Sequence, residues 1–210
     1  MEKSIETIWK EGFLNEDALI APKVNNLYNK KSLHIMAKFK KMFLINIWGI
    51  IIGSSLLFIG SYFVGALLAG SIVLIMMLYV AYTAYNELKT LEKLNKGQSS
   101  YLFLKSFKDW IDRSIERYGK MYRLVYPMLI LTIYFGIWFS DNLVFMRQKV
   151  SEQSDLFFGI HLGTTIFVVT VALLMSIFSK AIHRKDVKTI YGGILKKLDS
   201  SLAEMEHLRD

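Results

Sequence analysis

Residues 42–86 read MFLINIWGIIIGSSLLFIGSYFVGALLAGSIVLIMMLYVAYTAYN, and these 45 residues carry no formal charge. One transmembrane helix needs about 20 apolar residues, so this run is long enough for two helices. Gly60-Ser61 lies near its middle, and we place the break between the helices there. The run therefore predicts a tight transmembrane hairpin, spans one and two, within residues 42–84.

Two further uncharged runs predict spans three and four. The first covers residues 124–140 and the second residues 156–179. The first run ends in Ile137-Trp138-Phe139, and aromatic side chains are common at the membrane interface. We assign residues 124–179 to these two spans, with an outer loop at 141–155. The predicted fold class is an all-α integral membrane protein with four transmembrane helices.

The basic residues are distributed unevenly along the chain. Of the 26 Lys and Arg residues, eight precede span one, nine lie between spans two and three, seven follow span four, and two lie in the outer loop. Because basic segments are retained on the cytoplasmic side, both termini and the central segment are expected there. The net charge of +8 then indicates anionic inner-leaflet lipids as a partner, and not nucleic acid.

Helical periodicity runs through the segments assigned to the cytoplasm, residues 1–41, 85–123 and 180–210. We expect Asn15 to cap a short helix that ends before Pro22, and a second helix to begin near Pro22 and continue into span one. Ser99 or Ser100 is expected to cap an amphipathic helix, which Pro127 kinks before span three. Together these segments predict a cytoplasmic layer of amphipathic helices.

The segment 180–210 carries a stripe of residues spaced alternately four and three apart. The stripe suits a helix that folds back onto the other cytoplasmic helices, or a dimeric coiled coil of about three heptads. Gly192-Gly193 weakens the start of a coiled coil, so folding back is favoured. The residues of the stripe are Val187, Tyr191, Ile194, Leu198, Ser201, Met205 and Leu208.

Five lysines precede span one closely enough to lie at the lipid interface. We expect them to anchor the helix at the headgroups, with specific recognition of a headgroup or partner as the alternative. They are Lys30, Lys31, Lys38, Lys40 and Lys41.

Small residues four apart predict close packing between helices. Gly49 and Gly53 form such a face in span one, and Gly159 and Gly163 form one in span four. Span two adds the pairs Gly65/Ala69 and Ala66/Gly70. We expect packing inside the four-helix bundle, and formation of a homo-oligomer is the alternative.

Catalytic and metal-binding patterns are absent from the sequence. The chain has no cysteine, and its four histidines are isolated from one another. It also has no phosphate-binding glycine loop and no nucleophile elbow. We therefore expect no enzyme activity, no catalytic residue, no metal and no cofactor.

A small channel or transporter is the alternative class of function. Intramembrane charge usually marks transport, and the predicted spans contain no Asp, Glu, Lys or Arg. A transport path would have to use polar residues that face one another across a shared cavity. The candidates are Asn46, Ser54, Ser55, His161 and Thr165.

Large side chains in the cytoplasmic segments are candidates for binding a protein partner, because such anchors dominate interfaces. The alternative is that all of them form the core of the cytoplasmic layer. The candidates are Trp9, Phe13, Leu19, Tyr28, Trp110 and Tyr118.

Three stretches near the amino terminus, IWKEGF (8–13), DALIAPKVNNLYNKKS (17–32) and FKKMF (39–43), carry a resemblance to a known family. The chain resembles an uncharacterised group of four-span bacterial inner-membrane proteins that often accompany extracytoplasmic-function sigma factors. The likeness extends through LKTLEK (88–93) to Arg123. It implies a regulator or scaffold in the bacterial cytoplasmic membrane whose inner helices hold a sigma factor or another cytoplasmic protein. Without cysteine, the chain lacks a zinc-binding anti-sigma domain.

Overall fold

The chain forms four long helices and one short hairpin in a computed structural model that describes residues 16–94, 99–140, 142, 144, 145, 148, 156, 157 and 160–207. All four helices are long and apolar enough to cross a membrane, so the fold is consistent with a membrane protein. The elements are α1 Glu16–Val64, α2 Leu67–Glu92, α3 Ser100–Trp138, β1 Leu156–Phe157, β2 Ile160–His161 and α4 Leu162–His207.

The helices pack as two antiparallel pairs, α1 with α2 and α3 with α4, and α2 joins the pairs by packing on α3. Large apolar side chains such as Leu57, Phe63 and Phe167 remain exposed on the outside of the spans. A bilayer is the solvent that suits such a surface, since water penalises a large apolar patch. The spans therefore keep their apolar surface for lipid and bury little of it against one another.

The predicted break at Gly60-Ser61 is wrong, because α1 continues to Val64 and the turn lies at Gly65-Ala66. Gly65 has a φ of +73°, a conformation that glycine adopts without the steric cost of a Cβ atom. Ser140 Oγ and Asn142 Nδ2 donate hydrogen bonds to carbonyl oxygens of the last α1 residues. These tertiary hydrogen bonds satisfy the end of α1 and place the turn against the end of α3.

Neither proline ends a helix. α1 begins at Glu16 and passes through Pro22, so the predicted short helix and second start are wrong. α3 passes through Pro127, and the kink predicted there stays a prediction. A proline near the start of a helix removes only one hydrogen bond of the backbone ladder, and the rest of a 49-residue helix outweighs that loss. Asn15, the predicted cap, lies outside the described residues.

Ser99 is confirmed as the cap of α3. Its side chain accepts a hydrogen bond from the backbone N–H of Leu102 at 3.4 Å. This bond satisfies one of the amide groups that the first turn of a helix leaves without a partner.

The predicted helical start of span four at Leu156 is wrong. Residues 156–161 contribute a two-residue antiparallel hairpin, in which Leu156 pairs with His161, and α4 begins at Leu162. His161 Nδ1 accepts a hydrogen bond from the backbone N–H of Thr164 at 3.0 Å. His161 therefore acts as the amino-terminal cap of α4, a role that its position inside an apolar run does not suggest.

Beyond the apolar spans, the extensions of α1, α3 and α4 pack with the end of α2 around a second core, which we call the distal core. The carboxyl-terminal stripe faces it, although α4 is one continuous helix that packs on the other extensions without folding back. Leu208 lies outside the described residues. The buried apolar residues of the distal core are Ile35, Met36, Phe39, Leu88, Leu91, Phe103, Leu104, Phe107, Trp110, Ile111, Tyr191, Ile194, Leu198, Leu202 and Met205.

Ion pairs join the helices around the distal core. Lys31 on α1 contacts Glu204 on α4 with an N–O distance of 2.8 Å. Lys40 pairs α1 with α2, and Lys108 pairs α3 with α4. Each pair is exposed and contributes little free energy alone, but together they bridge three of the helix contacts around the core.

Candidate functional site

A cavity of about 270 Å³ lies where the distal core meets the apolar spans. All four helices contribute to its wall. The lining residues are Phe39, Phe43, Asn46, Ile50, Val80, Ala84, Trp110, Ile111, Ser114, Ile115, Tyr118, Tyr122, Tyr126, His183, Asp186, Val187, Ile190 and Tyr191.

One wall of the cavity is a series of aromatic rings on α3 that meets a histidine on α4. The rings of Tyr122 and Tyr126, one helical turn apart, stack with centroids 4.9 Å apart. His183 lies 4.8 Å from the Tyr122 ring and 5.8 Å from the Tyr118 ring. The spacing of four residues along α3 therefore builds a continuous π surface that α4 closes with an imidazole.

The opposite aromatic group separates the cavity from the distal core. Phe39 on α1 has its ring centroid 5.0 Å from that of Tyr191 on α4 and 5.3 Å from that of Phe107 on α3. Trp110 meets Phe39 edge to face, with centroids 5.9 Å apart. Rings from three helices thus meet at one point and form this end of the cavity.

Polar groups are few in the wall. Asp186 lies exposed at the cavity, and the Tyr126 hydroxyl donates to its Oδ2 at 3.5 Å, a long hydrogen bond. The buried Tyr118 hydroxyl makes no hydrogen bond among the described residues. The Tyr191 hydroxyl, which faces Asn46, also makes no hydrogen bond among the described residues. The wall is therefore largely aromatic, with one carboxylate and two tyrosine hydroxyl groups that make no hydrogen bond among the described residues.

Burial sets the protonation of the wall. It raises the pKa of Tyr118, and it raises that of Tyr191 to about 12, so both hydroxyls stay protonated. Burial raises the pKa of Tyr122 as well, helped by the charge of Asp186. Burial lowers the pKa of His183, although Asp186 opposes this shift. At neutral pH the wall therefore presents neutral rings beside one negative charge.

Behind the cavity wall, a buried carboxylate links α2 to α3. Glu87 on α2 forms an ion pair with Arg117 and accepts a hydrogen bond from Ser114 Oγ at 3.0 Å. Trp110 Nε1 donates to Thr90 Oγ1 at 2.9 Å along the same helix contact. We did not predict this network. Its only signal in the sequence is that Glu87 is the first charge after the long apolar run.

Of the six predicted partner-binding residues, Trp110 and Tyr118 have described side chains. They are 5% and 7% exposed and line the cavity, an arrangement that agrees with the alternative in which they form core. Trp9 and Phe13 lie outside the described residues. Leu19 and Tyr28 lie in α1, and the structure describes their backbone but not their side chains.

The five predicted interface lysines divide into two groups. Lys31 and Lys40 form ion pairs with other helices. Lys30, Lys38 and Lys41 have exposed side chains on the same helix. The second group has the surface position that headgroup contact requires.

The glycine face of span one does not pack inside the bundle, so that expectation is wrong for Gly49 and Gly53. Gly49 is exposed and Gly53 is half-buried. No neighbouring atom lies within 4 Å of a Cβ added at either glycine, and the face is left open in a single chain. Formation of a homo-oligomer through this face stays a prediction.

The glycine face expected in span four does not form either, and the prediction of helix packing is wrong for Gly163. Gly163 is exposed in the first turn of α4, which begins at Leu162. A Cβ added at Gly163 would meet the ring of His161, with Cε1 at 3.2 Å, and it would touch no other helix. Gly159 precedes α4 and lies outside the described residues. The hairpin that replaces the first turns of span four therefore removes the helical spacing on which this face depends.

Close helix contacts occur at other glycines. A Cβ atom at Gly136 on α3 would overlap Ala69 on α2, and one at Gly70 would overlap Ser61 on α1. Ala69 and Gly70 belong to the small-residue faces predicted for span two, so close packing there is confirmed. The sequence analysis did not single out Gly136, and the pairing of the helices identifies it.

The candidate transport residues lie in separate places. Asn46 lines the cavity, whereas Ser54 and Ser55 both donate to the Ile51 carbonyl of their own helix. At the other end of the spans, Thr165 shares a hydrogen bond of 2.7 Å with the Tyr134 hydroxyl, close to His161. The described residues therefore give these side chains no shared cavity.

Acidic and histidine side chains do not gather in groups of three that could hold a metal ion within the part of the chain that the structure describes. Comparison with known proteins found no match to a protein-family model, to a curated protein or to a solved structure.

Proposed function

We propose that this protein is a non-enzymatic regulator or scaffold of the bacterial cytoplasmic membrane that binds a cytoplasmic protein partner. A sigma factor is the partner to test first, because the resemblance of the sequence implies it. The observation that carries the proposal is the distal core, a folded helical unit attached to the spans and built from three of the four helices and the end of the fourth.

The size of this unit is the first argument. Residues 100–123 of α3 alone extend about 36 Å beyond the apolar run, at about 1.5 Å per residue. An anchor in the membrane needs only the spans. A braced core with inter-helix ion pairs supports a binding surface that loses little conformational entropy when a partner docks.

The distribution of charge supports a cytoplasmic position for this unit. Its segments, with the amino terminus, carry 24 of the 26 Lys and Arg residues. Such segments are retained on the cytoplasmic side during insertion. On the other side, the turn at Gly65-Ala66 and the segment 141–161 leave little room for a sensor domain.

Burial narrows the choice of contact residues. Trp110 and Tyr118 are buried against other side chains of the same chain, so a partner would have to contact other residues. Trp9, Phe13 and Tyr28 remain the large aromatic candidates, since they precede the part of α1 that contributes to the distal core. We therefore place the proposed contact on the amino-terminal segment of the chain.

Crosslinking in native membranes tests the proposal. The full chain should capture a co-expressed extracytoplasmic-function sigma factor, and the double variant Trp9→Ala/Phe13→Ala should lose it at equal expression. The matched control is Trp48→Ala/Phe63→Ala, which removes the same two kinds of side chain from positions that are 60% and 72% exposed on the spans. Equal capture by both variants, or no capture by the unaltered chain, would count against a tethered regulator.

A further inference from the structure

We propose that the cavity between the spans and the distal core binds the ammonium group of an amphiphilic amine. The apolar part of this ligand lies toward the spans. The inference goes beyond the binding of a protein partner and does not depend on it. It follows from the charge, the ring arrangement and the position of the cavity wall.

The charge of the wall determines whether a cation or an anion can bind. Among the described lining residues, Asp186 alone carries a formal charge. Arg184, Lys185 and Lys188 are its neighbours in the sequence, but they do not line the cavity. In a chain with 26 basic residues, a wall without any of them offers no counter-charge to a phosphate or carboxylate group. The complementary ligand is a cation.

The aromatic rings supply the second part of the recognition. The stacked rings of Tyr122 and Tyr126 adjoin Asp186, which accepts a hydrogen bond from the Tyr126 hydroxyl. Tyrosine faces attract organic cations, and aromatic cages are the usual sites for quaternary ammonium groups. Rings and a carboxylate in one wall therefore fit an ammonium group better than they fit a neutral ligand.

The position of the cavity selects an amphiphile. Ile50, Val80 and Ala84 belong to the apolar runs of α1 and α2, so one side of the cavity is continuous with the spans. Tyr118 and Tyr122 pack with Ala84 and Ile50, so the tyrosine wall adjoins this apolar side. The volume of about 270 Å³ is just below the roughly 300–1,000 Å³ of small-molecule sites, which suits a compact head and a short apolar group.

The orphaned hydroxyl of Tyr118 is an independent observation at the same place. Tyr118 is 7% exposed, and its hydroxyl makes no hydrogen bond among the described residues. Buried polar groups nearly always have a partner, which can be a ligand or an ordered water molecule. Glu87, the nearest buried carboxylate of α2, is already paired with Arg117 and does not line the cavity.

Isothermal titration calorimetry tests the proposal with the purified full chain in an uncharged maltoside detergent. Benzyltriethylammonium is the probe, with phenylmethanesulfonate as the anionic analogue and benzyl alcohol as the neutral one. We expect saturable binding of the cation, and neither the sulfonate nor the alcohol should reach comparable affinity.

Matched variants locate the site. Asp186→Asn should weaken binding of the cation about fivefold, the scale of a solvent-exposed ion pair. Asp112→Asn removes an exposed carboxylate of α3 that does not line the cavity, and it should leave binding unchanged. Tyr122→Leu should weaken binding at least as much as Asp186→Asn, with gel filtration as the check on folding.

Lipid competition identifies the source of the ammonium group. Competition by added phosphatidylethanolamine but not by phosphatidylglycerol would assign the site to a lipid headgroup, and competition by neither would assign it to a soluble amine. Equal binding of cation and sulfonate, or equal affinity of Asp186→Asn and Asp112→Asn for the cation, would overturn the proposal.

Discussion

Arg117→Ala should destabilise the protein by about 2 kcal/mol, because it leaves the Glu87 carboxylate charged, buried and without its cationic partner. The Glu87 side chain is 7% exposed, whereas that of Arg117 is 63% exposed. Water can therefore solvate Arg117 if the ion pair is lost, but it has little access to Glu87. Arg113, one turn earlier on the same exposed face of α3, provides a matched control.

The magnitude follows from two limits. Removing one partner of a fully buried ion pair costs about 3–5 kcal/mol, and an exposed pair is worth about 0–1 kcal/mol. Glu87 resembles the first case and Arg117 the second, while the hydrogen bond from Ser114 Oγ persists in the variant. The expected loss therefore lies between the limits.

Unfolding by sodium dodecyl sulfate in maltoside micelles, followed by helicity and tryptophan fluorescence, measures the free energy of unfolding. Arg113→Ala should stay within about 0.5 kcal/mol of the unaltered chain. The double variant Arg117→Ala/Glu87→Gln should recover more than half of the loss, because a neutral amide is cheaper to bury than a carboxylate. If Arg117→Ala and Arg113→Ala are equally stable, the reasoning about a buried charge is refuted.

Gly136→Leu should lower the free energy of unfolding by about 1–3 kcal/mol through overpacking. Gly49→Leu should change it little, because a Cβ atom added at Gly49 meets nothing within 4 Å. The same unfolding assay compares the two variants, and equal losses would argue against the close contact at Gly136. Phe107→Ala should cost about 3–5 kcal/mol because this side chain is fully buried, whereas Phe167→Ala, at a side chain that is 68% exposed, should cost far less. Similar costs would contradict the position of the distal core. The free energy of unfolding should fall as the pH drops below about 6.5, because burial lowers the pKa of His183 in the folded chain and the unfolded chain binds the proton first. His183→Asn should remove this part of the slope in unfolding measured between pH 5 and 8, and an unchanged slope would show that other groups cause it.

The spans and the stripe of α4 were predictable from local sequence. Long uncharged runs identify spans because a charge deep in the hydrocarbon is costly. The spacing of Tyr191, Ile194 and Leu198 predicts a buried face because helix geometry places residues three and four apart on one side. Ser99 was predictable for the same kind of reason, since a cap bonds to an amide three residues away.

The ends of the spans were less predictable. Gly60 and Gly65 are both compatible with a turn in the sequence, and the hydrogen bonds from Ser140 and Asn142 select the second site. The hairpin before α4 depends on a cap by His161, which competes with an otherwise helical apolar run. At Gly65 a contact from another helix outweighs a weak local preference, whereas at His161 a local side-chain cap does so.

The sequence by itself determined that the chain has four helices suited to a membrane and amphipathic extensions, because charge placement and periodicity act along one helix at a time. Tertiary structure decided which glycines pack closely, why Glu87 is buried, and where a cavity forms. Gly136 needs Ala69 of another helix, and Asp186 meets the tyrosines of α3 only because α4 packs against α3. These features depend on distances between helices, and no pattern within one helix carries that information.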